Sequence, residues 1–292
     1  QITPVGDTFQ SQKIKFLDQK ILLFEQINGL EFSEISDLTY DRNEKRLYFV
    51  SDEGRIFVFD ALFLEKIESL KALSGMELVK KNGKKFKRWD RDSEGLTLND
   101  RSELFASFEG EAKIGKFDKK GRMIKAYHLP KKLSESKNYR SRNKSLEALT
   151  WHPKYGLLTA AEWPLKEEHK KKQTIYALDG KEWHFKAEAE GKSAVVAIEA
   201  MDDGNLLVME RSFTGLMNPL VITLKKVYIQ GCKRKTELCP SEKILKMNTH
   251  QGWDIDNFEG LAKVGKNRYV MVSDDNDNFY QKTLLVYFEL SH

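Results

Sequence analysis

The sequence predicts an all-β chain folded as a closed ring of repeated antiparallel units, and three observations predict it. The first is a pattern that recurs five times, opening at Ser36-Asp37-Leu38-Thr39, Ser93-Glu94-Gly95-Leu96-Thr97, Leu146-Glu147-Ala148-Leu149-Thr150, Ile198-Glu199-Ala200-Met201 and Phe258-Glu259-Gly260-Leu261-Ala262. The second is spacing: in four copies the opening acid and an acid closing a following apolar run stand 15 residues apart, at 37/52, 94/109, 147/162 and 259/274. Turn residues such as Asp100-Arg101-Ser102 and Gly265-Lys266-Asn267 fill the midpoints, so each copy reads as a hairpin whose two acids meet at one end. The third is local composition, with β-branched and aromatic residues in short runs separated by turn residues and few segments of helical period. Opening acids lie 57, 53, 52 and 60 residues apart, a period suited to the four-stranded blades of a β-propeller.

Taken in order, residues 1–7 read as a loose leader, and 9–17 and 20–27 as strands. Each hairpin is followed by a third strand (55–60, 113–118 and 174–179) and a more polar outer strand (67–73, 122–129, 183–188 and 243–247). Residues 61–73 also admit a short helix. The fifth repeat has no fourth strand of its own, so an N-terminal strand laid beside 283–290 completes it, closes the ring and removes open sheet edges. The repeat count gives five blades, with six as the alternative, in one domain spanning 1–292, because no linker interrupts the pattern.

The chain carries a net charge of +5 over 292 residues and has no stretch approaching 18 apolar residues. The positive excess is local, in 79–91, 131–144 and 170–172, between predicted strands. It reads either as solvated loops or as a positive rim for polyanions, and no nucleic-acid motif accompanies it. Cys232 and Cys239 bracket a polar segment and no zinc spacing exists, which favours a disulfide. Together with a start at Gln1, lacking a methionine or apolar signal region, this sets the expectation of an exported protein, periplasmic or secreted.

In a propeller the innermost strands line an axial channel, so the repeat gathers Asp37, Glu94, Glu147, Glu199 and Glu259 there, with Asp52, Glu109, Glu162 and Asp274 behind them. The fourth copy offers Arg211, beside Glu210, where the others offer carboxylates. Clustered carboxylates repel by about 1 kcal/mol per close pair even in water, so something must offset the charge. One reading is architectural, each acid pinning a blade by accepting backbone amides. The other is a divalent cation, for which Asp37, Glu94, Glu147, Glu259 and Asp274 are the expected ligands. Their oxygens, with the run Asp274-Asp275-Asn276-Asp277-Asn278, suit Ca²⁺ or Mg²⁺ rather than zinc, although that run does not match an EF-hand. Arg211 is the expected anchor for an anionic substrate. Glu94 and Glu259 are the expected general bases, since the adjacent glycine leaves room. Trp163 and Trp253 could stack on a ligand or pack between blades. Neither a nucleophile elbow, a P-loop nor a Cys/His pairing is present, and the six histidines are scattered.

Read together, SDLTYD and RLYFVSDEGRIFVFD within 36–60, DSEGL (92–96), SLEALT (145–150), LLVMERSF (206–213) and DNFEGLA with VSDDN within 256–276 resemble the phytase-like, "esterase-like activity of phytase" family of propellers. The resemblance runs in order over nearly the whole chain. It implies an exported protein, mostly bacterial, with a hydrolytic activity on phosphoesters or esters and metal-dependent chemistry. Fold alone does not fix function, so a non-catalytic propeller that binds a ligand or protein is the competing expectation.

Overall fold

The computed structural model describes residues 2–4, 11–141, 144–215, 218–232, 237–274 and 282–291. Strand β1 (Ile14–Ile21) and a small hairpin, β2 (Gln26–Ile27) with β3 (Leu30–Glu31), precede the first blade. Four blades are then built in sequence order, each a four-stranded antiparallel sheet. The first is β4 (Ile35–Asp41), β5 (Arg46–Ser51), β6 (Arg55–Phe63) and β7 (Ile67–Glu77), and the second is β8 (Ser93–Leu98), β9 (Leu104–Phe108), β10 (Lys113–Phe117) and β11 (Met123–Tyr127). The third is β12 (Leu146–His152), β13 (Gly156–Ala161), β14 (Lys172–Ala177) and β15 (Glu182–Lys186), and the fourth is β16 (Ala194–Ala200), β17 (Leu206–Ser212), β18 (Val221–Val227) and β19 (Ser241–Asn248). The fifth contains β20 (Asn257–Gly265), β21 (Arg268–Asp274) and β22 (Leu284–Leu290), with β1 as its outer strand.

Five blades and closure by the N-terminal strand both match the expectation. β1 runs antiparallel to β22 from Ile14 opposite Leu290 to Ile21 opposite Leu284. The innermost strands β4, β8, β12, β16 and β20 touch their neighbours cyclically, and the five main apolar clusters each fill one interface between blades. Phe49, Phe57 and Phe59 of the first blade meet Val270, Val272 and Tyr287 of the fifth, for example, each removed from water. Ring closure is therefore a packing interface as well as a hydrogen-bonded ladder.

The helix considered over 61–73 does not form. β6 and β7 meet around Leu64-Glu65-Lys66, Ala61 is buried in the fifth-to-first interface, and Tyr40 donates to its carbonyl at 2.9 Å. Antiparallel pairing of Ala61 with Leu70, Leu62 with Ser69 and Phe63 with Ile67 makes this stretch two strands of a hairpin. The outer strands are more polar, as expected, because they have one neighbour and face solvent. Cys232 and Cys239 are disulfide-bonded, and no helix among the described residues is long and apolar enough to cross a membrane.

Candidate functional site

The site is set by one irregularity repeated in every inner strand. Pairing slips between Ile35 and Asp37, Ser93 and Leu96, Leu146 and Ala148, Val195 and Ala197, and Phe258 and Gly260. Each slip is a β-bulge, which re-aims a side chain out of the ladder. The residues standing first in these bulges are Ser36, Glu94, Glu147, Val196 and Glu259. The second-strand ends opposite them carry Asp52, Glu109, Glu162, Arg211 and Asp274: Arg211 pairs with Ala194 and Asp274 with Asn257, while the amides of Asp52, Glu109 and Glu162 reach Glu34, Asp92 and Ser145.

This register corrects two positions of the expected ring. Asp37 occupies the place held elsewhere by Gly95, Ala148, Ala197 and Gly260, and Glu199 the place of Thr97 and Thr150. Neither lines the axial cavity. Asp37 is buried and accepts three backbone N–H groups, from Leu38 at 2.8 Å, Leu96 at 2.8 Å and Leu261 at 3.1 Å, which clips the first, second and fifth blades together. Thr97 accepts the amide of Trp151 and Thr150 that of Ala200, each in the next blade, and Glu199 accepts that of Lys263 in the same relation. These are the architectural acids; their neighbours in the bulges face the channel.

A cavity of about 210 Å³ opens there, lined by Glu34, Ser36, Asp52, Glu94, Glu109, Lys144, Glu147, Arg211, Glu259 and Asp274. Seven of those ten are carboxylates and two are cations, so the lining is polar throughout and net negative. Glu34 is held in the left-handed backbone region at φ 51°, a sterically costly conformation next to the cavity. Arg211 ion-pairs with Glu259 and with Glu162 at 3.4 Å, and donates to Asn257 Oδ1 at 2.6 Å. Lys144 binds Glu162 Oε2 at 2.6 Å and lies over the Trp163 ring, 5.8 Å from its centroid. The two cations leave a surplus of acid.

Burial, then the neighbouring carboxylates, push Glu94 and Glu147 well above the usual carboxylate range. Burial and Asp92 push Glu109 up to about 8 against the pull of Lys144, and burial and Glu34 push Asp52 up to about 7. Burial raises Glu162 too, with Lys144 and Arg211 opposing it. Arg211 is raised too, but in its case the shift favours the charged form: burial opposes it, yet Glu259, Glu147 and Glu162 hold it firmly protonated.

The donor set fits a hard divalent cation. Single oxygens of Asp92, Glu94 and Glu109 lie within 4.8 Å of one another, as do those of Glu109, Glu147 and Glu162, so Glu109 is common to two three-carboxylate groups. Asp52 Oδ1 is buried without a hydrogen-bond partner. All-oxygen ligation of this kind suits Ca²⁺ or Mg²⁺.

Of the residues expected at the site, Glu94, Glu147, Glu259, Asp274 and Arg211 line the cavity, and Asp37 does not. Residues 275–278 of the oxygen-rich run lie outside the described residues. Trp253 is buried in the fourth-to-fifth interface against Phe16, which answers the stacking question for packing, whereas Trp163 stays half-buried against the same cluster and does not line the cavity. The glycines beside Glu94 and Glu259 do not make room for a ligand. A Cβ on Gly95 would stand 2.6 Å from Leu149 Cβ, and one on Gly260 would stand 2.8 Å from Asp37 Cα, so both serve contact between inner strands. Sequence reasoning missed Glu34, Asp92 and Lys144. Glu34 and Asp92 precede the repeat by two residues and a fixed offset could have found them; Lys144 closes a basic connection and nothing in the pattern distinguishes it.

The family model described as "Phytase-like: Esterase-like activity of phytase" matches residues 30–277 of the chain. Among curated proteins no relative matches. Three solved structures are similar in shape at low scores. The Swd1 β-propeller domain of Myceliophteria thermophila has 10% identity, covers 90% of this chain and 99% of that one, and gives a TM-score of 0.43. A streptogramin B lyase has 11% identity over 96% and 98%, with a TM-score of 0.40. A catalytically inactive virginiamycin B lyase from Staphylococcus aureus, with quinupristin, has 10% identity over 89% and 82%, with a TM-score of 0.42.

Proposed function

Since the chain belongs to the phytase-like, esterase-like activity of phytase family, we propose that it is a hydrolase of anionic esters, phosphoesters first, acting at the acidic channel mouth with Ca²⁺. The observation that carries the proposal is the open cavity whose lining holds seven carboxylates beside Arg211 and Lys144. A purely architectural ring would have its acids consumed by backbone amides, as Asp37 is. Instead the bulged glutamates face a space large enough for an ion and part of a substrate.

Carboxylates alone would repel a phosphoester. Asp92, Glu94, Glu109, Glu147 and Glu162 are the residues that would hold the cation, with Asp52 and Asp274 beside them. Bound there, Ca²⁺ would invert the local field and polarise the ester oxygen or acidify a water. The chain's own residues do the rest. Glu94, which faces the cavity and whose pKa burial and its neighbours raise, is the proton acceptor for the attacking water, since a raised pKa makes a carboxylate a stronger base than a free one. Glu259 is committed to Arg211 and orients that guanidinium rather than moving a proton. Arg211 and Lys144 then contribute positive charge to the anionic substrate from the side of the third and fourth blades. The Cys232–Cys239 disulfide supports residence in an oxidising compartment, periplasmic or outside the cell.

The test is a phosphate- and ester-release panel with and without Ca²⁺ on the wild type, Glu94→Gln and Glu259→Gln. Glu94→Gln is expected to lower kcat by roughly 100-fold or more, the usual worth of a positioned base. Glu259→Gln is expected to act mainly on KM by misplacing Arg211. If the protein binds no divalent cation and releases nothing, it is a binding propeller.

A further inference from the structure

On the third blade, outside the channel, a second group of metal-ligating side chains is assembled from one strand and a connection. Glu182 and His184 lie on β15 and Glu168 on the 162–171 connection, and one ligand atom from each lies within 4.8 Å of the other two. Thr174 and Tyr176 of β14 face them. Thr174 Oγ1 donates to Glu168 Oε2 at 3.0 Å and meets His184 Nδ1 at 2.9 Å, and Tyr176 OH donates to the same Oε2 at 3.2 Å.

Proton counting along this chain exposes a missing electrophile. Thr174 has one hydroxyl proton and gives it to Glu168, so towards His184 it can only accept, and Nδ1 carries the hydrogen. The neutral ring then presents a bare Nε2 lone pair to Glu182 Oε2, 3.7 Å away. His184 and Glu182 side chains are 6% and 8% exposed, so water does not screen the contact. Glu168 supplies another unmet acceptor: its Oε1 is buried with no hydrogen-bond partner. Lys132 does reach Glu182 Oε2, at 3.0 Å, but from a side chain that is 47% exposed. A neutral imidazole fixed by a hydrogen bond at its other nitrogen, with two carboxylates, is the arrangement that orients a metal-bound histidine.

We propose that Glu168, Glu182 and His184 form a divalent transition-metal site of the zinc class. An imidazole nitrogen selects such an ion over Ca²⁺. The site takes three protein ligands and leaves a position for water. The main chain braces it, since the amide of Cys239, at the end of the disulfide loop, donates to the His184 carbonyl at 2.6 Å. Bound there, the ion would pin the 162–171 connection to the outer edge of its blade.

The experiment strips the full-length protein with a chelator, supplies excess Ca²⁺ to occupy the channel, and titrates Zn²⁺ by calorimetry and Co²⁺ by visible absorption. Expected are one Zn²⁺ per chain and Co²⁺ d–d bands of nitrogen-containing ligation, with affinity at least about tenfold weaker and the bands lost in Glu168→Gln and His184→Gln. Should His184→Gln not fold, the half-buried Glu168→Gln decides. Glu109→Gln is expected to bind Zn²⁺ like the wild type. Loss of Zn²⁺ binding in Glu109→Gln, wild-type affinity in Glu168→Gln, or no stoichiometric binding would each overturn the proposal.

Discussion

Asp37 and Glu94 show how one functional group takes two roles within one repeat. Asp37 holds three backbone amides from three blades, whereas Glu94, standing first in its bulge, is turned into the cavity. Removing the Asp37 carboxylate leaves three buried donors unmet, each costing roughly 1 kcal/mol or more. Asp37→Ala is therefore expected to lower unfolding free energy by about 3 kcal/mol in a denaturant melt and to leave divalent-cation affinity within about twofold. A large loss of affinity at unchanged stability would make Asp37 a ligand after all. The sequence hid this difference because the first hairpin has one more turn residue than the others. Tyr40 pairs with Leu47, seven positions on, while Leu98 pairs with Leu104, Trp151 with Leu157, Ala200 with Leu206 and Lys263 with Tyr269, each six positions on. Counting back 15 residues from Asp52 thus lands on Asp37 instead of Ser36. In the fourth copy the bulge residue is Val196, which carries no charge to notice.

At the scale of the strand, the bulge and the small residue beside it act as a unit. Where the bulge aims a glutamate inward, in the second, third and fifth blades, the next residue is small (Gly95, Ala148 and Gly260), and Gly95 and Gly260 meet the neighbouring inner strand there. Gly95→Ala would push a Cβ to 2.6 Å from Leu149 Cβ and 2.7 Å from its backbone nitrogen, where backbone cannot give way cheaply. Overpacking of this kind costs typically 1–3 kcal/mol. Gly95→Ala is expected to lower the melting temperature by several degrees, and an unchanged melting temperature would show that the second and third blades can move apart freely. Hairpins, third strands and the borrowed N-terminal strand were legible in advance, because alternation and turn chemistry are local. Which side of the ladder each acid occupies was not, since a one-residue slip reverses every side chain and only pairing with the partner strand fixes it. Lys144 escaped for a related reason: the ring, not the local pattern, brings it to the mouth.

For the whole molecule, closing five blades concentrates acids at one end of the axis, and their protonation then ties stability to pH. Asp52 and Glu109, at about 7 and about 8, bind protons more tightly folded than unfolded, where carboxylates titrate near 4. Their stabilising effect is therefore full below about pH 4 and is lost as pH rises through 7 and 8. Glu199, also raised to about 8 by burial, adds to the same trend but sits on the inter-blade ladder, away from any ion in the cavity. A cation held by the channel carboxylates replaces the protons and should reverse their share of the loss. The most direct test is thermal unfolding between pH 5 and pH 9, in chelator and in excess Ca²⁺. The account predicts a melting temperature that falls with rising pH in chelator, and a Ca²⁺-induced rise that is small at pH 5 and grows to several degrees at pH 9. A melting temperature indifferent to Ca²⁺ at every pH, or raised equally at pH 5 and pH 9, would contradict it.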